Sequence, residues 1–381
     1  MPQPFGDISH CGDPRIVGFG VILESAKRIN PQLLLHFRRA FRASPRIIFM
    51  HDYSTSCRYY AAAMQTSLPA LKKREDVPAR VDQLVKMAEG TLAGYAPFHD
   101  VRLFVFPEFA HCAPMYTTVK ELLEHTALRP DDVIAPYLRF CKQNGVYVQT
   151  GSFIEHDPKY PGAVFNATLL IGPDGVLSKY RKVNPWIPWE VHASPHDIPG
   201  YSEPLFPVVD TEIGKLGCAI CYDWLFPEAI RQLTANGAEV LIRVSAYMDP
   251  WGAQAPMDWW TLFNRARAVE NTAYVVAANQ AANVPDYPPF SWPGGSMVVD
   301  FDGRILAQAE PGPFTKVVVA PIDIGALRAE RMRRRGHDMM GHLRNEAYTY
   351  LQKPGFPRAG SGDISIESID ARIAKEKAKK G

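Results

Sequence analysis

Residues 214–233 read GKLGCAICYDWLFPEAIRQL, and the order of residue types in this stretch decides the fold. KLGCAI is a short apolar run, the pattern of a strand buried on both faces. PEAIRQLTANG, opening at Pro227, reads as a helix. Between the two stand Cys221, Tyr222 and Asp223. A strand–turn–helix junction presents a side chain at the edge of a sheet and aims the free N–H groups of the next helix towards it. Such donors lower a thiol's pKa and bind an oxyanion, so Cys221 reads as a nucleophile. The competing reading, a buried structural cysteine, suits Cys218; the polar neighbours of Cys221 argue against it there. Cys218 and Cys221 also form a C-x-x-C, but redox use of that motif needs a helix start. On a strand, residues three apart face opposite ways.

Strands and helices alternate outward from this stretch. YYAAAMQ, VRLFVFP and VYVQTGSFIE read as strands, and PARVDQLVKMAEGTLAGY and DDVIAPYLRFCKQNG as helices, the second stopped by Gly145. Turn signals mark three hairpins: FNATLLIGPDGVLSKYRK at Pro173-Asp174-Gly175, LFPVVDTEIGKLGCAI at Ile213-Gly214, and SMVVDFDGRILAQA at Asp302-Gly303. EVLIRVS and AYVVAAN add strands, and MDWWTLFNRARAVEN a helix whose Trp259 and Trp260 read as core or subunit contact. Doubly buried strands mixed with helices and hairpins imply an α/β fold: two mixed β-sheets packed face to face between helices. No solenoid repeat is present. The expected organisation is an N-terminal extension over 1–57, a main domain over 58–350 and a C-terminal tail over 351–381.

Composition bounds the function. In 381 residues the hydrophobic share is 46% and the charged share 22%, enough for a large core. The formal net charge of +2 gives no whole-chain attraction to nucleic acid or a membrane surface, so neither is an expected partner. No apolar run reaches the ~20 residues of a membrane helix. The start, MPQPFGDISHCGDPR, lacks the basic and apolar segments of a secretory signal, so a soluble, cytoplasmic protein is expected. Six irregularly spaced cysteines read as reduced thiols rather than a disulfide framework. The Arg-rich run LRAERMRRRGHDMMGHLRNEAY reads as an arm that packs on another subunit.

Two more residues sit where strands end. Glu108 closes LFVFPE, at the rim of a core where partial desolvation raises a carboxyl's pKa and suits it to proton transfer. Alone it reads more readily as a capping or surface glutamate. Lys182 leaves a strand into a loop of prolines and tryptophans, where it is either a fixed charge for an oxyanion or a snorkelling surface lysine.

Together and in this order, these motifs resemble the nitrilase superfamily of carbon–nitrogen hydrolases. The resemblance runs from about Tyr59 to Tyr350. It rests on F-P-E at 106–108, Y-R-K at 180–182, I-C-Y-D-x-x-F-P-E at 220–228, and P-G-G-S with D-x-D-G-R within 293–304. It implies a four-layer αββα sandwich and a catalytic set of Glu108, Lys182 and Cys221, with no metal or other cofactor. It also implies roles. Glu108 takes the thiol proton and Cys221 attacks the carbonyl carbon. Lys182 and the Tyr222 N–H stabilise the oxyanion. Ammonia leaves, and water activated by Glu108 hydrolyses the thioester.

Within the superfamily, KVNPWIPWE (182–190) is similar to the aliphatic amidase and formamidase branch. Nitrilases typically carry Trp-Glu after the nucleophile, and carbamoylases an arginine soon after it. Here Tyr222-Asp223 follows, and no arginine precedes Arg231. On this likeness Glu190 is a second glutamate of the site, orienting the substrate amide, and Trp186 is a pocket wall; AYMDP from Ala246 also matches. The chain departs from the branch at Phe109 (usually Tyr), at Glu190-Val191-His192 (usually Glu-Gly-Trp) and at Trp189 (usually smaller). Phe109, Trp186, Trp189, Tyr222, His192 and Ala246 are therefore the candidate substrate contacts, and an aromatic pocket accommodates a larger acyl group. His192 and His196 suggest a metal pair only weakly, since they lie in a proline-rich loop. His111 reads as a neighbour of Glu108 rather than a papain-like partner of Cys221. The expected activity is hydrolysis of a primary amide to acid and ammonia. The alternatives are nitrile or N-carbamoyl hydrolysis by the same residues, or a non-catalytic scaffold. A homo-oligomer built from dimers is the expected assembly.

Overall fold

In the computed structural model, residues 57–111, 116, 118–186, 190–248, 252–282, 292–349 and three isolated C-terminal positions are described. They belong to the second of two units into which the chain divides, 1–52 and 53–381. The expected extension over 1–57, but for its last residue, therefore lies outside the described residues. So does most of the expected tail.

Two six-stranded sheets carry the fold. The parallel centre of the first is β1 (Arg58–Gln65), β2 (Val101–Val105) and β3 (Tyr147–Glu155). Parallel neighbours need a crossover, and helices supply it: α1 (Val77–Tyr95) before β2, then α2 (Val119–His125) and α3 (Asp131–Asn144) before β3. A hairpin, β4 (Phe165–Gly172) and β5 (Gly175–Arg181), extends the sheet beyond β3. In the second sheet β7 (Gly214–Ile220), β8 (Val240–Ser245) and β9 (Tyr274–Asn279) are parallel. They are joined by α4 (Pro227–Ala235) and α5 (Trp259–Asn271). β6 (Val208–Thr211) pairs antiparallel with β7, and β10 (Met297–Val299) and β11 (Ile305–Gln308) continue from β9. The last strand, β12 (Lys316–Asp323), returns to the first sheet antiparallel to β1, and α6 (Ile324–Arg333) follows it.

Both sheets share one plan along their strand order: antiparallel, parallel, parallel, antiparallel, antiparallel. The sequence shows no repeat, so this likeness lies in strand direction rather than residue identity. The strands expected from sequence are all present. β12, α2 and α6 are additions that the sequence reading leaves unassigned.

Side chains alternate across β1 as a strand requires. Ala61 and Ala63 join the core shared with β7, β8, β9 and β10. Ala62 and Met64 face the other way and pack with Val77, Val81 and Leu84 of α1 and with Tyr137 and Phe140 of α3. Ile230 and Leu233 of α4 and Trp260 of α5 pack on the second sheet. The architecture is the expected αββα sandwich. Of the two tryptophans on α5, Trp260 is buried and Trp259 exposed. Among the described residues, no helix is long and apolar enough to cross a membrane.

Candidate active site

The sheet plan explains why distant residues meet. The chain reverses between β3 and β4 and again between β4 and β5, so β5 again runs in the direction of β2. Glu108 and Lys182, just past the C-terminal ends of β2 and β5, thus emerge at one end of the first sheet. Cys221 and Ala246 directly follow β7 and β8, which are parallel neighbours in the second sheet.

These ends converge. Lys182 Nζ donates to Glu108 Oε1 at 2.9 Å and to both carboxylate oxygens of Glu190, each at 2.9 Å. All three ammonium donors are thereby engaged. Glu108 is held from four sides: Asn166 Nδ2 donates to its Oε1 at 2.8 Å, the Ala246 N–H to its Oε2 at 2.8 Å, Lys182 as above, and Gln280 Nε2 to its backbone carbonyl at 3.0 Å. The Cys221 thiol lies close enough to the Glu108 carboxyl to act on its proton affinity, and lowers it. Glu190 also accepts from the backbone N–H of Trp186.

Burial sets the proton affinities. It raises Glu108 above the usual carboxylate range, with Glu190's charge adding and Lys182 opposing. Burial acts against the charge on Lys182 too, but the flanking carboxylates outweigh it and raise its pKa. At Glu190 burial is overcome by Lys182 and the pKa is lowered. The sequence reading expects a depressed thiol at Cys221, and here the structure corrects it. Burial, reinforced by Glu108, pushes the thiol up to about 12. The free N–H donors of the turn do not offset loss of hydration, so the resting thiol is protonated and needs a base.

Two strand ends carry strained backbone. Cys221 has φ +44° and Phe109 φ +57°, a region that non-glycine residues occupy at a cost of roughly 1–3 kcal/mol. Cys221 opens a 3₁₀ turn, Cys221–Leu225, that runs into α4. Asp223, fully buried, holds this turn. Its Oδ2 accepts from the Ile220 N–H at 2.9 Å and from Tyr180 Oη at 2.7 Å, and its Oδ1 accepts from both nitrogens of Asn184. One carboxylate thus ties the end of β7 to the loop after β5. Behind Glu108, Gly151 (φ +76°) allows a close approach; a Cβ there meets the Pro107 carbonyl oxygen at 2.6 Å.

The other candidates are distributed as follows. Phe109 and Ala246 belong to a small apolar cluster with Leu122, Ile154 and Val164, against which Val191 and Trp292 pack. The Tyr222 ring packs edge-on against Phe226. His192 is buried, its Nε2 3.4 Å from Glu190 Oε2, whereas His196 is exposed. Among the described residues no His, Cys, Asp or Glu cluster could hold a metal ion. Trp189 lies outside the described residues. Both ring nitrogens of His111 are engaged elsewhere, Nδ1 3.3 Å from the Ser152 carbonyl and Nε2 3.1 Å from Tyr137 Oη.

Sequence reasoning misses Asn166, Gln280 and the clamp function of Asp223. The signal for Asn166 is present: it is a polar residue in an otherwise apolar strand, FNATLLIG. Gln280 reaches Glu108 only through tertiary structure. Thr66 Oγ1 donates to its side-chain oxygen at 2.8 Å, and its backbone carbonyl accepts from Gly294 of the P-G-G-S motif.

Burial pushes His111 and His192 from 6.5 down to about 4. The unfolded chain therefore binds these protons between about pH 6.5 and 4 while the folded chain refuses them. The associated stability is intact above pH 6.5 and is lost as the pH falls through that window, on the order of 3 kcal/mol per histidine. Melting temperature should drop across this range, and His111→Gln should flatten the drop. An equally steep profile in the variant, followed by calorimetry, contradicts this account.

Comparison with known proteins agrees with the geometry. Residues 60–332 match the carbon–nitrogen hydrolase family model. A formamidase of Bacillus cereus (strain Q1) is 32% identical over 267 residues, covering 69% of this chain and 74% of its own. Nit3 of Saccharomyces cerevisiae, a nitrilase-superfamily member, superposes with a TM-score of 0.58 at 23% identity, over 73% of this chain and 94% of its own. An amidase variant from Nesterenkonia sp. AN1, in complex with acrylamide, gives a TM-score of 0.56 at 18% identity, over 77% of this chain and 97% of its own. Those last two likenesses concern the fold. The chain belongs to the carbon–nitrogen hydrolase family, in the amidase-like branch of the nitrilase superfamily, and is a hydrolase of carbon–nitrogen bonds other than peptide bonds.

Proposed function

We propose that the protein is a thiol-dependent amidase that converts a primary carboxamide to its acid and ammonia through a thioester on Cys221. The observation that carries this reading is the buried, hydrogen-bonded set of Glu108, Lys182 and Glu190 with the buried Cys221 thiol within its electrostatic reach. Glu108 removes the thiol proton. Its raised pKa narrows the gap to the thiol, which makes the transfer less costly. The thiolate attacks the amide carbon, and the C=O pair moves to oxygen. Lys182 supplies a fixed positive charge to that oxyanion, and the Tyr222 N–H, at the start of the 3₁₀ turn, supplies a donor. Glu108 returns the proton to the leaving nitrogen, the C–N bond breaks and ammonia departs. Glu108 then deprotonates water, which attacks the thioester and restores the thiol.

Glu190 keeps Lys182 charged and aligned, and Trp186 orients Glu190 through its N–H. Phe109, Ala246, Trp189 and His192 are proposed to shape the acyl pocket. The formamidases among the relatives favour a small acyl group, while the aromatic departures of this chain favour a larger one.

The test is ammonia release across formamide, aliphatic and aromatic amides, with nitriles and N-carbamoyl compounds alongside. Turnover is expected for one or more amides in the parent and none in Cys221→Ala. Carbon dioxide release from N-carbamoyl substrates, or turnover of nitriles alone, replaces this reading; equal rates in parent and variant end it.

A further inference from the structure

Arg243 lies on β8 opposite Ala219 of β7, two residues before the nucleophile. It is wholly buried. Trp224, Tyr247 and Trp260 surround its guanidinium, with ring centroids 5.3, 5.3 and 4.3 Å away. Nη1 donates to Asn264 Oδ1 at 2.9 Å, while Nε and Nη2 have no partner among the described residues. Among the described residues no carboxylate pairs with it; this contrasts with buried Arg181, which is bound by Glu155, Asp157 and Glu203. An unpaired buried cation is costly, and aromatic faces offset only part of that cost.

The missing anion is one the reaction creates. Arg243 shares a face of β8 with Ser245; the β7–β8 register pairs Ile220 with Val244, so the strand ends that carry Cys221 and Ser245 are adjacent, and the buried Ser245 hydroxyl has no hydrogen-bond partner among the described residues. The charged and titratable groups that act on Arg243 are Cys221, Tyr247, Glu108 and Arg267. Those acting on Cys221 are Glu108 from the end of β2, Lys182 from the end of β5, and Arg243 from β8.

We propose that Arg243 is a positioning residue for acyl transfer, a fixed buried cation whose counter-ion is the Cys221 thiolate. When the S–H bond breaks, its electron pair stays on sulfur and the proton goes to Glu108. Negative charge thus leaves the carboxylates gathered on Lys182 and moves to sulfur, towards Arg243. Lys182 keeps Glu190 throughout. The guanidinium is already in place, held by rings and Asn264, so no group must reorganise as the thiolate forms. This inference rests on the reading of Cys221 as the nucleophile.

Iodoacetamide alkylation of Cys221 as a function of pH, read by peptide mass to separate it from the other thiols, tests the inference without substrate. In Arg243→Gln the alkylation midpoint should rise by about one pH unit or more, with about tenfold slower labelling at neutral pH. Asn264→Asp keeps the arginine but gives it a permanent carboxylate partner, and should shift the midpoint the same way. An unshifted midpoint in folded Arg243→Gln overturns the inference. If that variant does not fold, an unshifted midpoint in Asn264→Asp does so. A parent that labels as expected and shifts in the variants, yet hydrolyses no amide, overturns the amidase reading and leaves the charge pairing intact.

Discussion

Cys221→Ala should lower kcat for the best amide by at least about 10⁴-fold, with the fold preserved. The thiol is the only group in the cluster that can form a covalent bond to carbon while both glutamates and Lys182 stay bound to one another. Without it, water must attack the amide directly, and no step is divided. The side chain is small and alanine accepts the same packing, so the melting temperature should move by only a few degrees. Cys221→Ser retains a hydrogen-bonding group for Glu108, yet should lose nearly as much rate, because a hydroxyl is far harder than a thiol to ionise. Cys218→Ala is the control. Cys218 is buried in the β7 strand, and burial drives its thiol well upward, so it should be dispensable for turnover. A rate for Cys221→Ala within tenfold of the parent removes the nucleophile from the mechanism.

Lys182→Ala should damage stability and rate together. Its ammonium is the counter-ion of two buried carboxylates, Glu108 and Glu190. Removing one partner of a buried ionic group leaves charge without compensation and costs about 3–5 kcal/mol. For a domain of this size that is a fall of about 6–10 °C in melting temperature. The rate should fall by about 10³-fold or more, since both the oxyanion's positive charge and the ionised state of Glu108 are lost. The direction of the pH effect follows from the latter. Glu108 acts as a base above its pKa. Lys182 holds that pKa down against burial, so its removal moves the acidic limb of the rate profile to higher pH. The double variant Lys182→Ala, Glu190→Gln removes one of the two orphaned charges. It should recover much of the melting temperature and little of the rate. Equal recovery of both, measured by calorimetry and ammonia release, contradicts a division between ionic support and catalysis.

The legibility of this site in the sequence was uneven for physical reasons. Glu108 and Cys221 each follow an apolar run and Lys182 follows the hairpin strand GVLSKYR, and a reactive residue where a strand ends is visible without coordinates. Their grouping is not, since Lys182 and Glu108 are 74 residues apart. It came from the order of motifs. The roles of Asn166 and Gln280 are not legible in the sequence, because side-chain amides look the same whether they face water or the buried Glu108. Asp223 was noticed as a polar neighbour, but its role as a clamp needs Tyr180 and Asn184 brought against it. The thiol's pKa lies above its ordinary value, opposite to what the junction alone suggests. A junction motif predicts donors near sulfur, but only the folded chain reveals how completely water is removed.

Local pattern alone determined the layered α/β architecture, the hairpins and the strand ends at which chemistry occurs. Hydrophobic period and turn residues are short-range properties, and they are written in consecutive positions. Tertiary structure decided which charges share a counter-ion, which side chains lose their water, and that β5 returns to the direction of β2 so that Lys182 meets Glu108. Those outcomes depend on distances between segments far apart in the chain, and electrostatic energy in a dry interior changes steeply with such distances.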